Sequence, residues 1–102
     1  MFQKSKPVID PELIAAIKQM PCCCCGARQN VDPSHIRSVG SGGGDLPHNV
    51  KPLCRSCHIQ WHQYGAVEMI SRNPQLKQYI ENLGWKIVDF GNRRYLKHET
   101  EI

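Results

Sequence analysis

No apolar run in this chain approaches the length that a membrane-spanning helix requires, which argues against helical insertion into a bilayer. The first seven residues, Met1-Phe2-Gln3-Lys4-Ser5-Lys6-Pro7, have neither the apolar core nor the cleavage site of a secretory signal. A reducing, cytoplasmic setting is therefore expected, where cysteines serve more often as metal ligands or catalytic groups than as disulfides. There is no internal repeat and no long disordered tail, which leaves a single domain over 1–102. Neither sign of charge dominates: 13 Lys and Arg against 9 Asp and Glu leave +4. That balance suits a polyanionic partner and ordinary solubility equally well, so it excludes neither. Size is also lacking, because 102 residues bury a core that often needs a disulfide or metal to reinforce it.

What is present is concentrated between residues 22 and 64, which hold all six cysteines and four of the five histidines. On the N-terminal side, Asp10-Pro11 gives a capping acid followed by proline at the first helical position. Leu13, Ile14 and Ile17 then repeat at helical spacing until Met20-Pro21. On the C-terminal side, 66–72 reads as helix, and Asn73-Pro74 opens another with Leu76, Tyr79, Ile80 and Leu83 on one face. Gly84 supplies its stop. Trp85 to Phe90 and Arg93 to Lys97 flank Gly91-Asn92, the signature of a β-hairpin. The run Gly40-Ser41-Gly42-Gly43-Gly44-Asp45 reads as a flexible loop. A phosphate-cradling loop would carry Lys-Ser or Lys-Thr next, and Asp45-Leu46 stands there instead.

Two Cys-x-x-Cys pairs stand out, Cys22 with Cys25 and Cys54 with Cys57. Two intervening residues let a tight knuckle aim both sulfurs at one ion, and two knuckles complete a tetrahedron of thiolates. Four soft thiolates suit zinc and leave no open position, so the site is expected to be structural. Gly26 falls just after the first knuckle, which selects Cys22 and Cys25 and leaves Cys23 and Cys24 spare. A redox pair is the lesser reading because the βαβ context is missing, and a disulfide framework would need an oxidising compartment. The long separation between the knuckles means that they hold something substantial between them.

That segment contains Ser34-His35-Ile36, the glycine run and His48-Asn49-Val50, and the second knuckle runs directly into His58-Ile59-Gln60-Trp61-His62. A helix beginning near Cys54 would put His58 and His62 on one face, one turn apart, able to share an ion. Here the sequence resembles the HNH endonucleases, the ββα-metal or His-Me finger nucleases. The likeness rests on His35-Ile36 entering a glycine-rich loop, Asn49 before a short apolar strand, and Cys54-Arg55-Ser56-Cys57-His58. It covers about 22–64; the extension 65–102 contributes nothing to it.

The resemblance implies an α+β domain with a zinc-stapled ββα-metal core, an N-terminal helix, C-terminal helices and a hairpin. It implies His35 as the general base, Asn49 as the brace of its loop, and His58 with His62 as ligands of a catalytic divalent ion (Mg²⁺, Mn²⁺, Ni²⁺ or Zn²⁺). Family members often carry Asp or His before the first histidine, where this chain has Ser34. The third position therefore stays open between Asp32, additional water and His35 itself.

Arg28, Arg37, Lys51 and Arg55 lie in the motif and are candidates for phosphate contact as much as plain solvated charges. Arg93, Arg94 and Lys97 make a weaker case. Ile59 and Trp61 are expected in the core, His98 as a structural or surface histidine, and His48 has no assigned role. The expected function is hydrolysis of DNA phosphodiester bonds, as a nickase or double-strand cutter, with RNA, and a monomer or homodimer, left open. The likeness to small stand-alone phage-type proteins places it in the cytoplasm, including that of an infected bacterium. The alternative is a zinc-dependent nucleic-acid-binding module without catalysis.

Overall fold

A computed structural model describes residues 8–37 and 43–100. It is an α+β fold of four helices and two small antiparallel sheets. Helix α1, Pro11–Lys18, starts where the capping signal placed it: the Asp10 carboxylate accepts from the Leu13 amide at 3.1 Å. It is two residues shorter than the Met20 boundary suggests, and Ile17 is its buried residue. Strands β1, Val31–His35, and β2, Val50–Cys54, pair from Val31↔Cys54 to His35↔Val50. Every residue of β2 is buried, because the strand packs with α1 and with helix α2, Arg55–Tyr64. The chain passes from β2 into α2 with no connecting loop, so the cysteine at that junction fixes the helix to the sheet. Residues 40–42 of the glycine run lie outside the described residues.

Gly65, at φ +86°, separates α2 from α3, Ala66–Arg72. Helix α4, Pro74–Asn82, begins on proline and buries Leu76 and Ile80, as its apolar face requires. Together with Leu53, Trp61, Met69, Ile70 and Trp85 these residues form the core, which includes Cys22, Cys54 and Cys57. Ile59 does not join it: the side chain is 61% exposed, on the opposite side of α2 from Trp61. The expectation of a core contact there is corrected by the helical phase, since residues two apart cannot share a face.

The hairpin consists of β3, Trp85–Phe90, and β4, Arg93–His98, in register from Trp85↔His98 to Phe90↔Arg93. It is joined to the central unit through Trp85, whose indole N–H donates to the His48 carbonyl at 2.6 Å. His98 is a buried structural residue. Its Nε2–H donates to the Leu83 carbonyl (2.8 Å), Nδ1 accepts from the Thr100 amide (3.2 Å), and its ring lies 4.1 Å from that of His48. Gly84 meets this ring so closely that a Cβ would lie 2.7 Å from His98 Nε2.

Candidate functional site

The first knuckle is a tight turn. Gly26 donates to the Cys22 carbonyl, Cys22 donates to the Ala27 carbonyl, both at 2.8 Å, and Gly26 takes φ +82°. The Cys25 amide points at Cys22 Sγ (3.5 Å), and Cys23 N–H ties the turn to β2 through the Pro52 carbonyl. The second knuckle is the end of β2 and the first turn of α2. The sulfurs of Cys22, Cys25, Cys54 and Cys57 all lie within 4.8 Å of one another, and Cys25 to Cys54 is 3.6 Å. A regular tetrahedron with Zn–S near 2.3 Å has S···S edges of about 3.8 Å. The four cysteines could therefore hold a structural metal such as zinc, and a full thiolate shell leaves no position for substrate. Burial opposes ionisation of Cys22, but amide hydrogen bonds from Cys54, Cys25 and Cys24 overcome it and bring the thiol down to about 7. Cys23, outside the cluster, is pushed up to about 12 by burial.

The second assembly lies along β1 and α2. His58 and His62 face each other through Nε2 at 3.1 Å. Two imidazoles each about 2.1 Å from one ion have nitrogens about 3.0–3.4 Å apart for right-angled to tetrahedral geometry, so this pair fits a shared metal. Burial is the main reason the His58 ring protonates less readily than a free histidine, with charge repulsion from His62 adding to it. A neutral ring keeps the lone pair that a metal needs. Asp32 Oδ2 lies 3.5 Å from His58 Nδ1, on the other side of the ring from His62. Asp32 thus stands beside the nitrogen that does not face His62, where a carboxylate would orient the imidazole and raise its basicity rather than join the His58–His62 pair. Among the described residues, the cysteines form the group of three or more mutually close ligand atoms.

His35, at the end of β1, is hydrogen-bonded elsewhere, through Nε2 to Asp45 Oδ1 at 2.8 Å. Asp45 in turn accepts from the Asp10 amide (3.0 Å) and donates its own amide to the Val8 carbonyl. These contacts lock the start of α1 to the loop facing His35. The Asp10 amide, followed by His35, holds the Asp45 carboxyl below its usual range. Asn49 is buried. Its Oδ1 accepts from the Arg37 amide (2.8 Å), and its Nδ2 donates to the carbonyls of Arg37 and Gly44 (both 3.0 Å). It therefore pins both ends of the segment between 37 and 44. Sequence reasoning missed Asp45; the one available signal was an acid directly after the glycine run.

The candidate phosphate contacts separate. Arg55 is exposed at the rim, 3.5 Å from Asp32 Oδ1. The Arg37 guanidinium sits 5.4 Å from the Trp85 ring centre, beside an open groove of about 740 Å³ that includes His62, Tyr64 and Tyr95. Lys51 cannot touch a phosphate, and that expectation is corrected: the residue is 0% exposed. The β1–β2 register sets it opposite Ser34, where Nζ donates to Oγ (3.0 Å) and lies 3.3 Å from the Trp61 ring centre. Burial brings its ammonium down to about 7, with the nearby Cys23 opposing the shift.

A lysine titrating near 7 when folded and near 10.5 when unfolded carries its full penalty below pH 7 and loses it as pH rises towards 10.5. Wild type should therefore gain on Lys51→Met by roughly 2–5 kcal/mol between pH 6 and pH 10. Urea unfolding of the two proteins across that range measures the difference. A flat difference would mean that Lys51 stays charged in the fold. No protein-family model matches the chain, and no curated protein or solved structure is significantly similar to it, so the functional reading rests on the geometry of the site itself.

Proposed function

We propose that this chain is a metal-dependent endonuclease of the HNH type that hydrolyses DNA phosphodiester bonds, with zinc at the four cysteines as its structural staple. The observation that carries the reading is one compact β1–β2–α2 unit with three features. His58 and His62 nitrogens stand 3.1 Å apart, Asp32 stands behind His58, and His35 is aligned by a carboxylate at the strand end. A binding module needs none of these at those places. A divalent ion on His58 and His62 would stabilise the negative charge that builds on the phosphate oxygens during hydrolysis.

The chain's own residues do the rest. With Nε2–H donating to Asp45, the Nδ1 lone pair of His35 is the base. It takes a proton from water as the water oxygen attacks phosphorus and the P–O bond to the leaving oxygen breaks. Asp45 keeps the ring in that tautomer and orientation, while Asn49 fixes the loop that carries its partners. Arg55, at the rim, is placed to meet the substrate backbone.

The test is cleavage of supercoiled plasmid by zinc-loaded protein with Mg²⁺, Mn²⁺ or Ni²⁺, beside His58→Ala and a chelator control. Metal-dependent open-circle or linear product that His58→Ala does not form, at unchanged zinc content, is the expected result. Wild type that binds DNA yet stays as inert as His58→Ala with every ion would overturn hydrolysis of DNA and leave the zinc-dependent binding module in its place.

A further inference from the structure

The C-terminal hairpin has a face that the proposed chemistry does not use. Side chains alternate along a strand and cross-strand partners share a side, so the register divides the ribbon cleanly. Trp85, Ile87, Leu96 and His98 turn inward, where Trp85 and His98 are buried and Ile87 and Leu96 pack on the core. The other face presents Lys86, Val88, Phe90, Arg93, Tyr95 and Lys97. Phe90 is 75% exposed and Tyr95 42%, large fractions for aromatics in a small domain. Within the strands this face bears three cations and no carboxylate. Lys86, Arg93 and Lys97 form no ion pair among the described residues, whereas Arg94, on the opposite face, is paired with Asp89. The acid next in phase, Glu99, lies beyond the strand end and folds against Gly84.

Cations without counter-charges, interleaved with exposed rings, suit a polyanion whose bases are free to stack. Phe90 lies opposite Arg93, so Tyr95 is its diagonal neighbour, at a residue-to-residue spacing of roughly 7–8 Å. That spacing exceeds the stacking distance within a duplex and matches neighbouring bases of a stretched single strand. Tyr95 also lines the groove that contains Arg37 and His62, so the ribbon is continuous with the candidate metal site.

We propose that the outer face of β3–β4 is a stacking platform for single-stranded nucleic acid, with Phe90 and Tyr95 each taking a base and Lys86, Arg93 and Lys97 meeting phosphates. The preferred substrate would then have an unpaired segment beside the scissile bond. This deepens the nuclease reading and rests on it only for the nature of the partner.

The experiment is fluorescence anisotropy with an end-labelled single strand and the matching duplex. It uses the zinc-loaded full chain and no added catalytic ion, so binding is read without turnover. The single strand should bind at least several-fold more tightly than the duplex. Phe90→Ala and Tyr95→Ala should each lower single-strand affinity roughly 5- to 100-fold and change duplex affinity little, with Tyr95→Trp restoring binding. Replacing Lys86, Arg93 and Lys97 by glutamine should flatten the slope of log affinity against log salt by about 2. All five positions are on the surface face, and unchanged zinc content and circular dichroism verify the variants.

Aromatic variants that bind like wild type, a duplex bound as tightly as the single strand, or no binding to either would each overturn the platform. Plasmid cleavage separates the two proposals. Active wild type with indifferent ribbon variants sinks the platform alone, whereas ring-dependent binding without metal-dependent cleavage sinks the hydrolysis alone.

Discussion

His35→Ala should lower metal-dependent nicking of supercoiled DNA by about 10²–10⁴-fold, the usual worth of a positioned general base. The effect is chemical rather than structural, because His35 belongs to no part of the core: its side chain is 27% exposed and its polar contact is with Asp45. Thermal midpoint and zinc content should therefore stay near the wild-type values while the rate collapses. Asp45→Asn provides an intermediate case. It keeps the size of the side chain and an acceptor for the Asp10 amide, but removes the carboxylate that fixes the His35 tautomer. Its rate should fall between wild type and His35→Ala, with the loss in kcat rather than KM, since Asp45 touches the base and not the substrate. Single-turnover cleavage with saturating Mn²⁺ measures both. A His35→Ala protein that retains half of the wild-type rate would remove His35 from the reaction.

The local signals were legible wherever backbone chemistry is local. Asp10-Pro11, Asn73-Pro74 and Gly84 mark real helix ends, Gly91-Asn92 marks a real hairpin, and the two Cys-x-x-Cys pairs do converge. What escaped depends on contacts between distant segments. Lys51 looks like any surface lysine until β1 pairs with β2 and sets it opposite Ser34 and beneath Trp61. Asp45 looks like a loop acid until the start of α1 folds across it and His35 comes within 2.8 Å. Asp32 was legible as a neighbour of His58 but not as a group on the far side of its ring, because spacing along a strand does not give side-chain direction. The same limit applies to the hairpin: Arg93 and Arg94 are adjacent in sequence but stand on opposite faces, Arg94 paired with Asp89 and Arg93 across the ribbon from Phe90.

The largest expected effect on the molecule as a whole comes from the cysteines. Cys57→Ser, or removal of zinc by a strong chelator, should unfold the chain rather than merely soften it. Cys22, Cys54 and Cys57 are themselves core residues, packed with Leu53 and Trp61, and the cluster ties the 22–25 turn to β2 at the point where α2 begins. Without an ion, four sulfurs within 4.8 Å cannot all ionise, and burial already pushes the Cys57 thiol up. The apo state must therefore bury polar thiols that have no ion to bind. Structural zinc in comparable small domains contributes on the order of 10–16 kcal/mol, which matches or exceeds the roughly 5–15 kcal/mol net stability of a whole domain.

Far-ultraviolet circular dichroism should fall towards that of a coil on chelation. Emission from Trp61 and Trp85, 5% and 4% exposed in the fold, should shift to the red, and both changes should reverse when zinc is restored. Acid should do the same work as the chelator, since falling pH protonates thiolates and releases the metal. Cys23→Ser and Cys24→Ser are the controls: both residues lie outside the four-sulfur cluster, so each variant should keep one zinc per chain and its fold. An apo protein that still unfolds cooperatively from a native-like spectrum would mean that packing alone holds β1, β2 and α2 together. In that case the orientation of His58 would owe nothing to the knuckle that precedes it.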